Sequence, residues 1–342
     1  MTHAPVERAG QRASLFRYRM KILVTGGAGY IGSVCAETLL DAGHSVAVYD
    51  DLSEGHRAAV DPRASFIQGR PDEPNDVLNA FQSSEPEAVM HFAASALVGE
   101  SMLRPEKYFQ NNVVNGLKFL DAAVACKVRK FVFSSTCATY GHPAQFPITE
   151  DTPQCPVNPY GESKLMLERM LRWYHQIHGL EFIAFRYFNA AGASQRFGEH
   201  HRTETHLIPN VLSVALGQKQ QVEIHGADYP TPDGTCVRDY IHVADIAQAH
   251  ILGLQNGRCG FYNLGNGDGY SVLQVIETCE VVIGKKIPCV MHPRRPGDPP
   301  KLVACTLKAR RELAWAPKNP RLTEIVDSAW HWHRLHPTGY SV

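Results

Sequence analysis

Lys21-Ile22-Leu23-Val24-Thr25-Gly26-Gly27-Ala28-Gly29-Tyr30-Ile31-Gly32 decides the fold. Lys21 to Val24 reads as a strand, its apolar, β-branched run suited to burial on both sheet faces. Glycines follow at 26, 29 and 32, and a helix runs on through Leu39 and Leu40. Gly26 permits a tight turn, Gly29 lets a pyrophosphate approach the backbone, and Gly32 lets the helix pack closely on the strand. The helix N-terminus offers free N–H groups and a positive dipole end to phosphates. A strand before and a helix after give these glycines the context of a dinucleotide site. Asp50 and Asp51 end the next strand, where an acid accepts hydrogen bonds from adenosine ribose hydroxyls. Two carboxylates there also repel a 2′-phosphate, so NAD is expected rather than NADP.

Outward from this turn, strands are expected at His44–Tyr49, Ser65–Gln68, Ala88–Phe92, Lys130–Ser134 and Phe182–Arg186. Helices lie between them, the clearest beginning near Asn112 and Tyr160; Val113, Leu117, Leu120 and Val124 form one stripe of the first. The alternation predicts an α/β chain with a Rossmann-type doubly wound parallel sheet and right-handed crossovers. After Asn189, loops, prolines and glycines dominate through Gly234, before sheet-like segments at Asp239–Val243 and Phe261–Leu264. We therefore expect an NAD-binding domain over 20–190 with a return segment at 236–266. A smaller, non-contiguous substrate-binding lobe takes 191–235 and 267–342. Residues 1–19 carry Arg8, Arg12, Arg17 and Arg19 against Glu7 and read as a disordered extension.

Composition narrows the function. Lys plus Arg equals Asp plus Glu, at 34 each, so nothing draws the chain broadly to nucleic acid or to an anionic membrane. No apolar run approaches the roughly 20 residues that span a bilayer. Nine scattered cysteines, without a C-x-x-C pair, fit free thiols in a reducing cytoplasm. The 17 histidines show no H-E-x-x-H or His/Cys ligand spacing, and no metal is expected.

Tyr160-Gly161-Glu162-Ser163-Lys164 places a tyrosine and a lysine on one helical face. Thr136 lies just past the C-terminal end of the fifth strand, the end at which ligands bind in such sheets. A tyrosine with pKa near 10 is a poor base at neutral pH, and bringing it to about 7 needs roughly 4 kcal/mol. A lysine ammonium and an oxidised nicotinamide both have the right sign. A phenolate so tuned can take a proton from a sugar hydroxyl, and Thr136 can hydrogen-bond the same hydroxyl.

These motifs continue in His91-Phe92-Ala93-Ala94, Val98-Gly99-Glu100-Ser101, Asn111-Asn112-Val113, Ser134-Ser135-Thr136 and Arg186-Tyr187-Phe188-Asn189. Asp228 to Asp245, Asn263-Leu264-Gly265 and Arg294-Arg295-Pro296-Gly297-Asp298 complete the set. Over about residues 20–339 the chain resembles the extended short-chain dehydrogenase/reductase family, and within it the branch of UDP-sugar 4-epimerases. The resemblance implies a catalytic set of Thr136, Tyr160 and Lys164 and the interconversion of UDP-glucose and UDP-galactose on NAD that stays bound. It implies NAD contacts at Gly26, Gly29, Tyr30, Ile31, Gly32, Asp50, Asp51, Phe92, Ala93, Ala94, Asn112, Thr136, Tyr160, Lys164, Tyr187 and Phe188. It implies UDP contacts at Asn189, His206, Leu207, Arg238, Arg295 and Asp298, and a homodimer packed through the helices after Asn112 and Tyr160.

Several positions depart from that pattern. Gly69-Arg70-Pro71-Asp72 replaces a Gly-Asp pair, His225 replaces an aromatic residue near uracil, and Leu302, intermediate in size, leaves N-acetylated sugars open; an epimerase for UDP-xylose and UDP-arabinose is a second reading the sequence also allows. A sugar-nucleotide 4,6-dehydratase would carry Asp-Glu after the threonine; Cys137 and Ala138 stand there instead. A silent NAD-binding regulator would not need Thr136, Tyr160 and Lys164 together.

Overall fold

A computed structural model describes residues 19–295 and 298–341. The expected extension therefore lies, except for Arg19, outside the described residues. The nucleotide half is β1 (Lys21–Thr25), α1 (Tyr30–Asp41), β2 (Ser45–Asp50), β3 (Ser65–Gln68), α2 (Asp76–Ser84), β4 (Ala88–His91), α3 (Val98–Leu103) and α4 (Pro105–Tyr108). A π-helical turn at Phe109–Val114 leads into α5 (Asn115–Ala125), β5 (Lys130–Thr136), α6 (Pro159–His178) and β6 (Glu181–Tyr187). Then come β7 (Asn189–Ala191), α7 (Leu207–Ala215), β8 (Val222–His225), β9 (Val237–Arg238), β10 (Tyr240–His242), α8 (Val243–Asn256) and β11 (Gly260–Leu264). The chain closes with β12 (Tyr270–Ser271), α9 (Val272–Ile283), β13 (Cys289–His292), β14 (Lys301–Leu302), α10 (Leu307–Leu313) and α11 (Leu322–Leu335).

Seven strands form one parallel sheet in the order β11-β6-β5-β4-β1-β2-β3. The order reverses between β1 and β4, the switch point at which such sheets open a crevice at their carboxyl ends. Successive residues of one strand feed opposite layers. Ile22 and Val24 pack with Val34, Leu39 and Ile246 of α1 and α8. Leu23 packs with Phe81, Phe119 and Leu167 of α2, α5 and α6. Two-sided burial is why the strand reads as an unbroken apolar run. A third core joins α7, α9 and α11 to β8 and β10.

The expected strand at Asp239–Val243 is shorter and elsewhere than in the main sheet: β10 pairs with β7 in a separate two-stranded unit. Asp239, just before it, is fully buried, and its carboxylate accepts the N–H groups of Asn266, Gly267 and Ala304 at 2.7, 3.0 and 3.0 Å. Its own backbone is paired as well, its N–H donating to Leu302 O at 3.0 Å and its carbonyl accepting from Asn189 N at 2.9 Å. Burial nevertheless raises this carboxyl to about 6.

A buried ion pair fixes α6 against the sheet. Arg186 of β6 and Glu168 of α6 meet at 2.7 Å, their side chains 1% and 2% exposed. Ser135 donates to Glu168 at 2.5 Å, Gln154 donates to it at 3.0 Å, and Arg186 donates to the Tyr140 hydroxyl at 2.8 Å. Breaking such a pair strands a charge at about 3–5 kcal/mol. Arg186→Met should lower the unfolding free energy by about that amount, and adding Glu168→Gln should recover part of it. Additive losses in urea unfolding would contradict this pairing.

Candidate active site

The glycine turn leaves β1 with Gly26 in the left-handed region, φ +71°, where an added Cβ would strike the Ala93 backbone nitrogen at 2.4 Å. Gly32 is required by the protein too: its Cβ would meet the Gly26 carbonyl at 2.3 Å. Gly29 differs. Its φ is an ordinary −85°, and a Cβ there would meet only the Gly26 carbonyl, at 3.3 Å. No protein atom demands glycine at 29, so the demand fits a phosphate group approaching the backbone. The first turn of α1 has no side-chain cap and no acid, which leaves its N–H groups for an anion.

Asp50 is buried below this turn and accepts from Ala28 N at 3.0 Å and Leu52 N at 2.9 Å. Each oxygen retains a lone pair for a ribose hydroxyl. Asp51 instead closes its own turn on Ser53. Tyr30 donates to the Gly192 carbonyl at 2.6 Å, and Ile31 packs on the core. The Phe92 and Ala93 amides both donate to Thr25 O, which turns the chain across the crevice with Ala94 after it. Asn112 is a brace: its amide bonds Ser95 N, Ser95 O and Ser163 Oγ at 2.8, 3.0 and 2.9 Å. Its hydrogen-bonding groups tie the loop after β4 to α6. Tyr187 pairs with His250 Nε2 at 2.7 Å, while His250 Nδ1 lies 3.0 Å from the Ile246 carbonyl. That tautomer makes the tyrosine the donor.

Thr136 ends β5, buried, its hydroxyl accepting from Ala138 N at 3.1 Å. Tyr160 opens α6 beside it. Burial pushes the Tyr160 phenol up to about 12, against a hydrogen bond from Thr136 that lowers it. Lys164, one turn on, donates to Ser134 O at 2.8 Å, with its ammonium 5.0 Å from the Phe133 ring. Burial brings Lys164 down to about 7. The sequence had implied a phenol lowered by lysine; within the protein, burial opposes that. A further positive charge beside the phenol has the sign that restores it.

On the other side of the crevice, Arg238 is buried, and one guanidinium nitrogen donates to Asp298 at 2.9 Å. Arg295 is exposed. Asn189 holds β7 to the Asp239 carbonyl through its backbone. His206 precedes Leu207, the first residue of α7; burial lowers its pKa, but Glu199 and Glu204 more than offset this, to about 9. Asp72 is paired with Arg70 at 2.7 Å on the surface. His225 stacks on His292. Leu302 packs with Cys137, Tyr140 and Phe188.

Residues 22–265 match a family described as NAD dependent epimerase/dehydratase. This chain belongs to that family. A UDP-glucose 4-epimerase of Halalkalibacterium halodurans is 49% identical over 330 residues, covering 94% of this chain and 98% of the relative. A crystal structure of a UDP-glucose 4-epimerase superposes with a TM-score of 0.91 at 48% identity, covering 94% of this chain and 99% of that one. Another, from Bifidobacterium longum in complex with NAD+ and UDP, gives 0.89 at 36% identity, covering 93% and 99%.

In this epimerase/dehydratase chain the sequence reading missed Ser134 and Glu168. Ser134 offers only a backbone carbonyl to Lys164, which no side-chain pattern marks. Glu168 does carry a signal, since it lies eight residues after Tyr160 on the same helical face. The glycines separate two demands. Gly32→Ala should lower the melting temperature by several degrees or prevent folding. Gly29→Ala should leave melting of the dinucleotide-free protein nearly unchanged and weaken dinucleotide binding about tenfold or more. Equal loss of stability in both would mean Gly29 serves packing alone.

Proposed function

We propose that this chain is a UDP-glucose 4-epimerase, interconverting UDP-glucose and UDP-galactose. The carrying observation is Tyr160, placed beside Thr136 and one helical turn from a buried Lys164, at the carboxyl end of a sheet with a dinucleotide turn. The glycine turn, Asp50 and the segment Phe92–Ala94 would hold NAD, which supplies a hydride acceptor for one half of the reaction and a donor for the other. Tyr160 takes the proton from the carbon 4 hydroxyl, and Thr136 orients that hydroxyl by a hydrogen bond. Arg238, steadied by Asp298, and Arg295 grip the diphosphate by charge-assisted bonds. Carbon 4 would give up its hydrogen as hydride to bound NAD as that proton leaves; after the 4-keto sugar has turned about its diphosphate link, the hydride would return to the opposite face of carbon 4 while Tyr160 returns the proton to the oxygen.

The lobes 20–190 with 236–266, and 191–235 with 267–342, divide this labour between cofactor and UDP-sugar. None of the nine cysteines is paired, which suits the reducing cytoplasm where we place the enzyme. No helix among the described residues is long and apolar enough to cross a membrane.

We also propose a homodimer through the outer faces of α5 and α6. Val114, Leu117, Met166, Trp173 and Ile177 are exposed there, the last two at 60% and 67%. An apolar patch on packed helices marks an interface. Light scattering at micromolar concentration should give twice the chain mass, and Trp173→Glu should give the single mass; a monomeric parent would refute the dimer.

Above about pH 7 the Tyr160–Lys164 pair has lost one proton, and that state includes tyrosinate beside ammonium. The pH profile of kcat/KM for UDP-galactose should therefore fall on the acid side with a midpoint near 7. Tyr160→Phe should lose about 10²–10⁴-fold in turnover while retaining its NAD. Full activity of that variant would overturn the assignment.

A further inference from the structure

Four metal-capable side chains converge on the segment between β7 and α7. Glu199, His201, Glu204 and His206 are spaced E-x-H-x-x-E-x-H. One donor atom from each lies within 4.8 Å of all the others. Glu199 Oε1 stands 3.1 Å from His201 Nε2 and 3.1 Å from His206 Nδ1, and Glu204 Oε1 stands 2.8 Å from the same Nδ1. Ligands held at about 2.0–2.1 Å in a tetrahedron are about 3.4 Å apart. These three edges lie within about 0.6 Å of that spacing, and the other three are no longer than 4.8 Å.

The charge and the backbone point the same way. From Glu199 to His206 the chain has neither strand nor helix, so side chains rather than a hydrogen-bond ladder must fix its path. Glu199 is 6% exposed and Glu204 17% at their side chains. Two sheltered carboxylates need compensation. A protonated His206 shared between them supplies only one positive charge for the two carboxylates, with His201 crowded onto the same Glu199 oxygen at 3.1 Å. A divalent cation neutralises both carboxylates and engages all four donors at once.

We propose that Glu199, His201, Glu204 and His206 bind one Zn²⁺ as a closed structural site. Two imidazoles disfavour magnesium and calcium, and a tetrahedral N₂O₂ set suits zinc. The expectation of no metal rested on known spacings, and E-x-H-x-x-E-x-H is not among them. The site would act as a staple. His201 meets the ring of Tyr30 edge-on at 6.3 Å, and Tyr30 lies in the first turn of α1. His206 leads directly into Leu207 and α7. The metal would tie the dinucleotide turn to the start of α7, while the partial exposure of His206 gives the ion a way in.

The test uses tag-free protein with its bound dinucleotide. Elemental analysis after purification without chelator should find about one zinc per chain. After chelator treatment, Co²⁺ should produce a tetrahedral visible spectrum that saturates at one equivalent and is displaced by Zn²⁺. Zn²⁺ should raise the melting temperature of the stripped protein. Glu199→Gln and His201→Gln, neither assigned to cofactor or substrate, should each weaken Co²⁺ binding at least about tenfold and remove the melting shift. Absence of both zinc and a cobalt spectrum in the wild-type protein would overturn the proposal whatever the variants do. So would undiminished binding in both folded variants; the cluster would then be an imidazolium clasped by two carboxylates.

Discussion

The buried pair of Glu168 and Arg186 is the constraint on which the site's geometry rests. It is costly to desolvate two charges, and the cost is offset only when both are fully hydrogen-bonded. Here Ser135, Gln154 and Tyr140 complete the shell. Such a network tolerates little sliding, so α6 has one register over β5 and β6. Tyr160, Lys164 and Glu168 are spaced four apart on one face of that helix. The same register that brings Glu168 to Arg186 brings Lys164 Nζ to the Ser134 carbonyl and Tyr160 beside Thr136. Three adjacent residues of β5, Ser134, Ser135 and Thr136, thus receive Lys164, Glu168 and Tyr160 from the helix's polar face.

That rigidity has an electrostatic consequence. A helix pressed onto a sheet shelters its polar face from water, and burial moves an acid and a base toward their neutral forms. Tyr160 rises to about 12 and Lys164 falls to about 7. The neutral pair is one proton transfer from tyrosinate and ammonium. A positive charge in the groove stabilises the tyrosinate and opposes the ammonium, so the balance depends on which group it stands nearer. Lys164 is the more deeply buried of the two, so a cation bound in the proposed reaction nearer the phenol than the ammonium would favour the phenolate.

The glycine turn, the seven parallel strands and the Tyr160–Lys164 spacing were legible because each is local. A strand buried on both faces must be apolar throughout, and a pair four apart on a helix must share a face. Contacts between distant segments left no such trace. Asn112 looks like a ligand residue in sequence, yet its amide bonds lie 17 and 51 positions away. Asp50 and Asp51 look equivalent, but one is buried under the glycine turn while the other closes a turn on Ser53. The sheet-like reading of Asp239–Val243 could not show its pairing with β7, nor that Asp239 satisfies three N–H groups from segments 27, 28 and 65 residues away. The Glu199–His206 convergence lies in a loop, where no helical or strand period relates one side chain to the next.

Asp239 also bears on how firmly Arg238, the proposed diphosphate clamp, is held. Its three hydrogen bonds pin the backbone where β9 hands over to β10, and Arg238 is the residue immediately before it. Asp298 then fixes one edge of the guanidinium. The guanidinium group is therefore stiff at its root and at its tip, with little conformational entropy left to lose on meeting an anion such as the proposed diphosphate. Next to Thr136 the chemistry is opposite. Cys137, Phe188 and Leu302 pack together as a buried apolar group. In the proposed reaction, such a firm polar clamp would keep the nucleotide in place while the sugar turned to present either face to the same phenol.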